Sequence, residues 1–213
     1  SQKNIFIPHI LEELIITYTN LNNLKKIIKE QKYNSIIYGC GITNSSKNKE
    51  ILKFILKQKT NLLLDAGVFS ILQNNKKEFI KLLKQRFNNT VMTPHQGEFK
   101  RIFKITDNKI EDCINASKKT NSVLVYKGND TVIGSPLGKV FINSKSTPYL
   151  ATAGSGDVLS GLIGGFLAQG IDPLKSANLG CYIHSQSAIN VGVGLIASDL
   201  IKEIPKIIKS IDI

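Results

Sequence analysis

An α/β fold built on a largely parallel sheet is predicted by three observations. Short apolar, strand-like runs alternate with longer periodic ones through the first half of the chain, the pattern of repeated βα units. The rhythm breaks after Val123, where "VLVYKGNDTVIGSPLGKVFIN" holds three extended runs separated by Gly/Asn/Asp and Pro-Leu-Gly turns, implying antiparallel strands near one edge. From Gly156 onward the chain reads as helix, a layer over one sheet face.

Taken in order, residues 24–32 and 50–59 are helix-like, with lysines placed for solvated faces. Residues 35–38, 62–65, 90–92 and 123–126 read as buried strands. The first three each lead into a helical segment, and their C-terminal ends carry "YGCG", "LLLDAG" and "MTPHQGE". Ligands of open α/β sheets bind beyond such ends. Helical stretches then stop around 170–173 and 190–194, and a last helix runs from Ser198 to about Ser210. No repeat, low-complexity tract or linker divides the chain, so one domain over residues 1–213 is expected.

Composition narrows the function classes. The 213 residues, 42% apolar, suit one globular domain, alone or within a larger protein. A formal charge of +12 fits solvated lysines and would draw phosphorylated small molecules. Nucleic-acid binding is not expected, because no basic stripe with interleaved aromatics is evident. Cys40, Cys113 and Cys181 are odd in number, widely spaced and without a CxxC, which points to a reducing, cytoplasmic setting. His9, His95 and His184 form no helix-spaced zinc pair. The chain starts at Ser1 without a basic-then-apolar leader, and its longest uncharged run, 176–198, holds His, Gln, Ser and Asn, so no membrane span is expected.

The densest chemical signal is "LATAGSGDVLSGLIGGFLAQG", residues 150–170. A helix start exposes unpaired N–H groups and the positive end of the macrodipole, and Gly154 and Gly156 would let a phosphate approach the backbone. Locally, an N-cap by Asp157 or Ser155 is as good a reading as catalysis. Gly161, Gly164 and Gly165 inside the helix suggest close backbone packing there. The segment lacks the Gly-Lys-Ser/Thr ending of a P-loop and does not fit G-x-G-x-x-G.

"ATAGSGDVLSGLIGGFLAQG" resembles the signature of the ADP/ATP-dependent NAD(P)H-hydrate dehydratases, members of the ribokinase-like superfamily, and "LLLDAG", "TPHQGEF", "YKGNDTVIGSPLG" and "GLIASDLIKEIP" agree in order. The resemblance implies a three-layer fold with helices on both sheet faces. It also implies repair chemistry, in which a hydrated nicotinamide ring (NADHX or NADPHX) is phosphorylated at its hydroxyl by ADP or ATP with Mg²⁺ and phosphate is then eliminated. Asp157 would be the base that accepts the hydroxyl proton, and the amides of Ala153, Gly154, Ser155 and Gly156 an anion hole. Gly41, His95 and Asp157 would meet the hydrate substrate. Lys127, Gly128, Asn129, Asp130, Thr131 and Gly156 would meet the nucleotide, although residues 127–131 also read as a plain hairpin turn. Glu98 is either Mg²⁺-linked or a helix N-terminal carboxylate.

The chain departs from the family pattern in three places. "GCGIT" stands where relatives have a Gly-Pro-Gly-Leu-Gly-like loop, and Cys40, with no paired base in view, reads as a small filler. "DAGVF" keeps Asp65 and Ala66 but has Gly67 in place of a second Asp. The family's glycine-rich first βα section has no counterpart before residues 5–18, so the domain is expected to be N-terminally truncated, as a piece, a complemented chain or a trimmed form. An edge strand left open by that loss makes a homo-oligomer the expectation. Rival readings are a ribokinase-like sugar or vitamin-precursor kinase, and a non-catalytic nucleotide-binding domain.

Overall fold

The computed structural model describes residues 14–86 and 90–211. Residues 5–13, within the stretch where the expected first section has no counterpart, and His9 lie outside them. The described residues divide between residues 32 and 33 into two compact units. In the first, α1 (Leu21–Glu30) starts at Asn20, whose side chain accepts from the Asn23 amide at 3.0 Å. None of its residues is buried.

The second unit is a six-stranded sheet in the order β1 (Ser35–Tyr38), β2 (Asn61–Leu64), β3 (Thr90–Met92), β4 (Val123–Tyr126), β5 (Thr131–Gly134) and β6 (Val140–Asn143). The first four are parallel, and β5 and β6 add antiparallel. Between them run α2 (Ser46–Leu56), α3 (Gly67–Asn74), α4 (Lys76–Lys84), α5 (Gln96–Ile102) and α6 (Lys109–Thr120). Strand order never reverses, so right-handed crossovers place all five helices on one face. The opposite face must be covered by later chain, and α7 (Ser155–Ala168) and α8 (Pro173–Val191) cover it, with α9 (Ala197–Ser210) packed outside them.

Both faces of the inner strands β2 to β5 are dry, which is why they read as continuous apolar runs. Leu63, Val91, Val125 and Ile133 pack with Leu159, Ile163, Leu167, Ala177 and Cys181 of α7 and α8. Their neighbours Leu62, Leu64, Met92, Leu124 and Tyr126 are equally buried and face the other way, where Phe99 stacks on Tyr126 at 4.0 Å between ring centroids. Of the three helix glycines, only Gly164 answers to close packing: a Cβ there would sit 2.4 Å from Ile37 Cδ1. Gly161 and Gly165 meet nothing within 4 Å, which corrects the expectation for those two. They line an open groove between α7 and α9.

At the end of the sheet opposite the strand C-termini, one buried cation holds several loose ends. The Arg86 guanidinium donates to the carbonyls of Leu56 (2.9 Å), Gln58 (2.6 Å) and Thr60 (2.6 Å) and to Thr90 Oγ1 (2.8 Å). It thereby satisfies the carbonyls that α2 leaves at its C-terminus. Burial pulls its pKa down to about 10, still far above neutral pH. Arg86→Met is expected to lose about 3 kcal/mol of stability, since several buried carbonyls lose their donor together; urea denaturation measures it.

Candidate functional site

The site forms where β1 and β2 end. Gly39 has φ +138°, and a Cβ on it would lie 1.7 Å from the Asp65 carbonyl oxygen, so only glycine lets the two strand ends touch. The Asp65 amide donates to Tyr38 O and the Gly67 amide to Gly39 O, both at 3.1 Å. Between them Ala66 is held at φ 47°, ψ −116°, a strained conformation for a residue with a Cβ. This turn sets Cys40 beside the Asp65 side chain.

Asp65 is buried, and both carboxylate oxygens are engaged. Oδ1 accepts from Lys127 Nζ at 3.0 Å and Oδ2 from Ser160 Oγ at 2.8 Å. Lys127 lies just past β4, its amide fixed to Pro94 O at 2.9 Å, and Ser160 lies in the second turn of α7. One carboxylate therefore ties β2, β4 and α7 together. A buried ion pair of this kind is sensitive to loss of either partner.

Gly154, at φ +83°, starts α7, and no side chain caps it. Neither Ser155 nor Asp157 serves as the N-cap: Ser155 Oγ donates backwards to Leu150 O at 2.6 Å, and Asp157 is the helix's third residue. Asp157 is exposed, and one of its oxygens, one of Asp65 and Cys40 Sγ all lie within 4.8 Å of one another. The sulfur's burial, then Asp157 and Asp65, push the Cys40 thiol up to about 12. Cys40, expected as a small filler, is an exposed residue whose sulfur lies beside Asp65 and Asp157. A Cβ placed on Gly156 would lie 3.7 Å from Lys127 Nζ, so the ammonium stands over the helix start. An uncapped helix N-terminus, a side-chain-free approach and a fixed cation are the features with which a protein can hold an anion.

His95 opens α5. Its Nδ1 accepts from the Gly97 amide (3.0 Å) and that of Glu98 (3.4 Å), so the neutral ring carries its proton on Nε2, 3.5 Å from Glu98 Oε1. Glu98 Oε2 accepts the His95 amide at 2.9 Å, completing a capping box with His in the place of Ser or Thr. Burial raises the Glu98 pKa, against the hydrogen bond from the His95 amide and the charge of Lys127. Both Glu98 oxygens face the cap, so the geometry favours the helix-terminal role over the Mg²⁺-linked one. The His95 side chain is 56% exposed and keeps an open face.

The 127–131 turn divides. Lys127 enters the site, while Gly128, Asn129 and Asp130 are exposed in the β4–β5 hairpin. Thr131 closes that hairpin through Oγ1 to Gly128 O at 3.1 Å, and Asp130 pairs with Lys109 at 2.9 Å. Gly41 is exposed beside Cys40 at φ +68°, and Ala153 is exposed before Gly154. Sequence reasoning missed the roles of Asp65, Ser160 and His184. His184 of α8 is buried and donates from Nε2 to Ser155 O at 2.8 Å. Its only signal was being a histidine in an otherwise uncharged run.

Fold and site together define a three-layer α/β protein with an uncapped helix start and an exposed carboxylate beside it. The sequence profile of NAD(P)H-hydrate dehydratase, a carbohydrate-kinase-type family, matches residues 1–209, and the chain belongs to that family. It is 35% identical over 162 residues to the bifunctional NAD(P)H-hydrate repair enzyme of Thermosynechococcus vestitus, covering 74% of this chain and 30% of that protein. The ADP-dependent (S)-NAD(P)H-hydrate dehydratase of Neisseria meningitidis is 32% identical over 193 residues, covering 84% of this chain and 64% of that one. This chain thus spans less than two thirds of these relatives. The Bacillus subtilis ADP/ATP-dependent NAD(P)H-hydrate dehydratase, co-crystallised with ATP/Mg²⁺, superposes with a TM-score of 0.72 at 26% identity, covering 89% of this chain and 70% of that one.

Two outcomes follow from the geometry. Lys127→Met alone leaves a buried carboxylate unpaired and is expected to cost about 3–5 kcal/mol, with Asp65→Asn in the same chain recovering at least half, by denaturant titration. Burial lowers the His184 pKa to about 4, so the native state keeps the ring neutral while the unfolded state binds a proton below about 6.5. That contribution is complete above pH 6.5 and is lost as pH falls toward 4, by up to about 1.4 kcal/mol per pH unit. A His184→Gln variant should show a flatter stability profile over that window.

Proposed function

We propose that this chain returns hydrated nicotinamide nucleotides, NADHX and NADPHX, to NADH and NADPH at the expense of ADP or ATP. The observation that carries the reading is Asp157: an exposed carboxylate at the mouth of an uncapped helix start, opposite an ammonium held by a buried partner. Family membership supplies the substrate class.

Hydroxide leaves poorly, so the hydroxyl is first made into a phosphate ester. Asp157 accepts the hydroxyl proton as that oxygen bonds to the terminal phosphorus and the phosphoanhydride bond breaks. The amides of residues 153–156 and the Lys127 ammonium take the charge that develops on the phosphoryl oxygens. The ring-nitrogen lone pair then expels phosphate from C6, and loss of a proton from C5 restores the dihydropyridine. Mg²⁺, when bound with the nucleotide, neutralises phosphate charge. Asp157 is the nearby carboxylate free to meet it, since Lys127 and Ser160 occupy Asp65. The open face of His95, with Gly41, is assigned to the hydrate, and Gly128, Asn129, Asp130, Thr131 and Gly156 line the nucleotide's approach.

The free state of Cys40, Cys113 and Cys181 supports a cytoplasmic setting, and no helix of the described residues is long and apolar enough to cross a membrane. β1 stands at one edge of the sheet, which supports an assembly of copies.

Incubation of the purified chain with NADHX, Mg²⁺ and either nucleotide should regenerate NADH absorbance. Accumulation of a phosphate ester without NADH would instead favour the kinase reading. Asp157→Asn should lower kcat about 10²–10⁴-fold; full activity in that variant would remove Asp157 as the base.

A further inference from the structure

We infer that His184 is a positioning residue that aims the first turn of α7 at the transferring phosphoryl group, an inference that rests on the function proposed above. The helix start works through the direction of its amides, and no side chain caps it. What fixes its direction is a clasp on Ser155. The Ser155 amide donates to Thr152 O at 3.3 Å, its hydroxyl to Leu150 O at 2.6 Å, and its carbonyl accepts from His184 Nε2 at 2.8 Å.

The first two come from residues three and five positions back, the second from Leu150, which packs against Ala188, Leu195 and Leu200. The third arrives from a side chain of α8 and holds the Ser155 carbonyl itself. His184 sits in the middle of α8, where Ile183, Ser185, Ser187 and Ala188 are also buried, so the donor is anchored in the core. Ser155 immediately precedes Gly156 and lies two residues before Asp157, so rotating its peptide re-aims the cradle amides and the carboxylate together. The charge whose field reaches the imidazole is Lys127, the same ammonium that stands over the cradle. The ring touches neither substrate nor nucleotide; it acts through Ser155.

The test compares His184→Leu, which removes the donor, with His184→Gln, which keeps an N–H donor. His184→Leu should lower kcat about 10–100-fold, the scale of a small misplacement of catalytic groups, with KM for NADHX within about twofold. His184→Gln should recover to within about threefold of the parent. Wild-type kcat in His184→Leu, or equal losses in both variants, would overturn the inference. Should His184→Leu fail to fold, His184→Met takes its place with the same expected outcomes. If the parent chain fails to dehydrate NADHX, the proposed function falls. The inference is then read from calorimetric titration with ATP and Mg²⁺: weaker binding in the non-donor variant and retained binding in His184→Gln supports it, and equal affinities overturn it.

Discussion

The arrangement turns on a carboxylate that never meets solvent. Asp65 sits at the end of β2 with a lysine from the end of β4 on one oxygen and a serine from α7 on the other. Three elements that share no local sequence thereby meet at one point, and the low-dielectric surroundings that make the contact strong also make it intolerant of a missing partner. The neighbouring backbone leaves no slack: Gly39 lies against the Asp65 carbonyl, and Ala66 is forced into a positive φ to turn the chain into α3.

Around that fixed point, two aspartates close in space have opposite environments. Asp65 is sequestered and fully hydrogen-bonded, which suits it to hold Lys127 in place. Asp157 is exposed at the first turn of a helix with no side-chain cap, where a ligand can reach it. Cys40 shares their neighbourhood with its thiol driven up to about 12, so it stays neutral and adds no further negative charge beside the two carboxylates.

Much of the fold was legible because the inner strands are dry on both faces and glycine or proline punctuates the strand ends. The strands at 35–38, 90–92 and 123–126 and the antiparallel switch after Val123 stand where their apolar runs place them, and the helix limits follow Gly170, Pro173 and Gly192–Gly194. Less legible was where polar side chains spend their hydrogen bonds. Ser155 had the identity of a helix cap, yet its hydroxyl turns back to Leu150. His95 caps α5, a role more usual for Ser, Thr or Asp, so its residue type concealed it. The pairs Asp65–Lys127 and Ser155–His184 join residues 62 and 29 positions apart, and spacing alone cannot announce such partners. Gly161 and Gly165 read like packing glycines because Gly164 between them is one; only the side of α7 on which each lies separates them.

Spatial strand order in this sheet is identical to chain order. A nascent polypeptide leaving the ribosome can therefore add each strand to the edge made just before it, with no gap held open for a later insertion. The face that receives α7 and α8 stays bare until synthesis passes β6. Asp157 reaches its place only when α7 closes over that face, so Asp65 and the strand ends around it are assembled before the second aspartate arrives beside them.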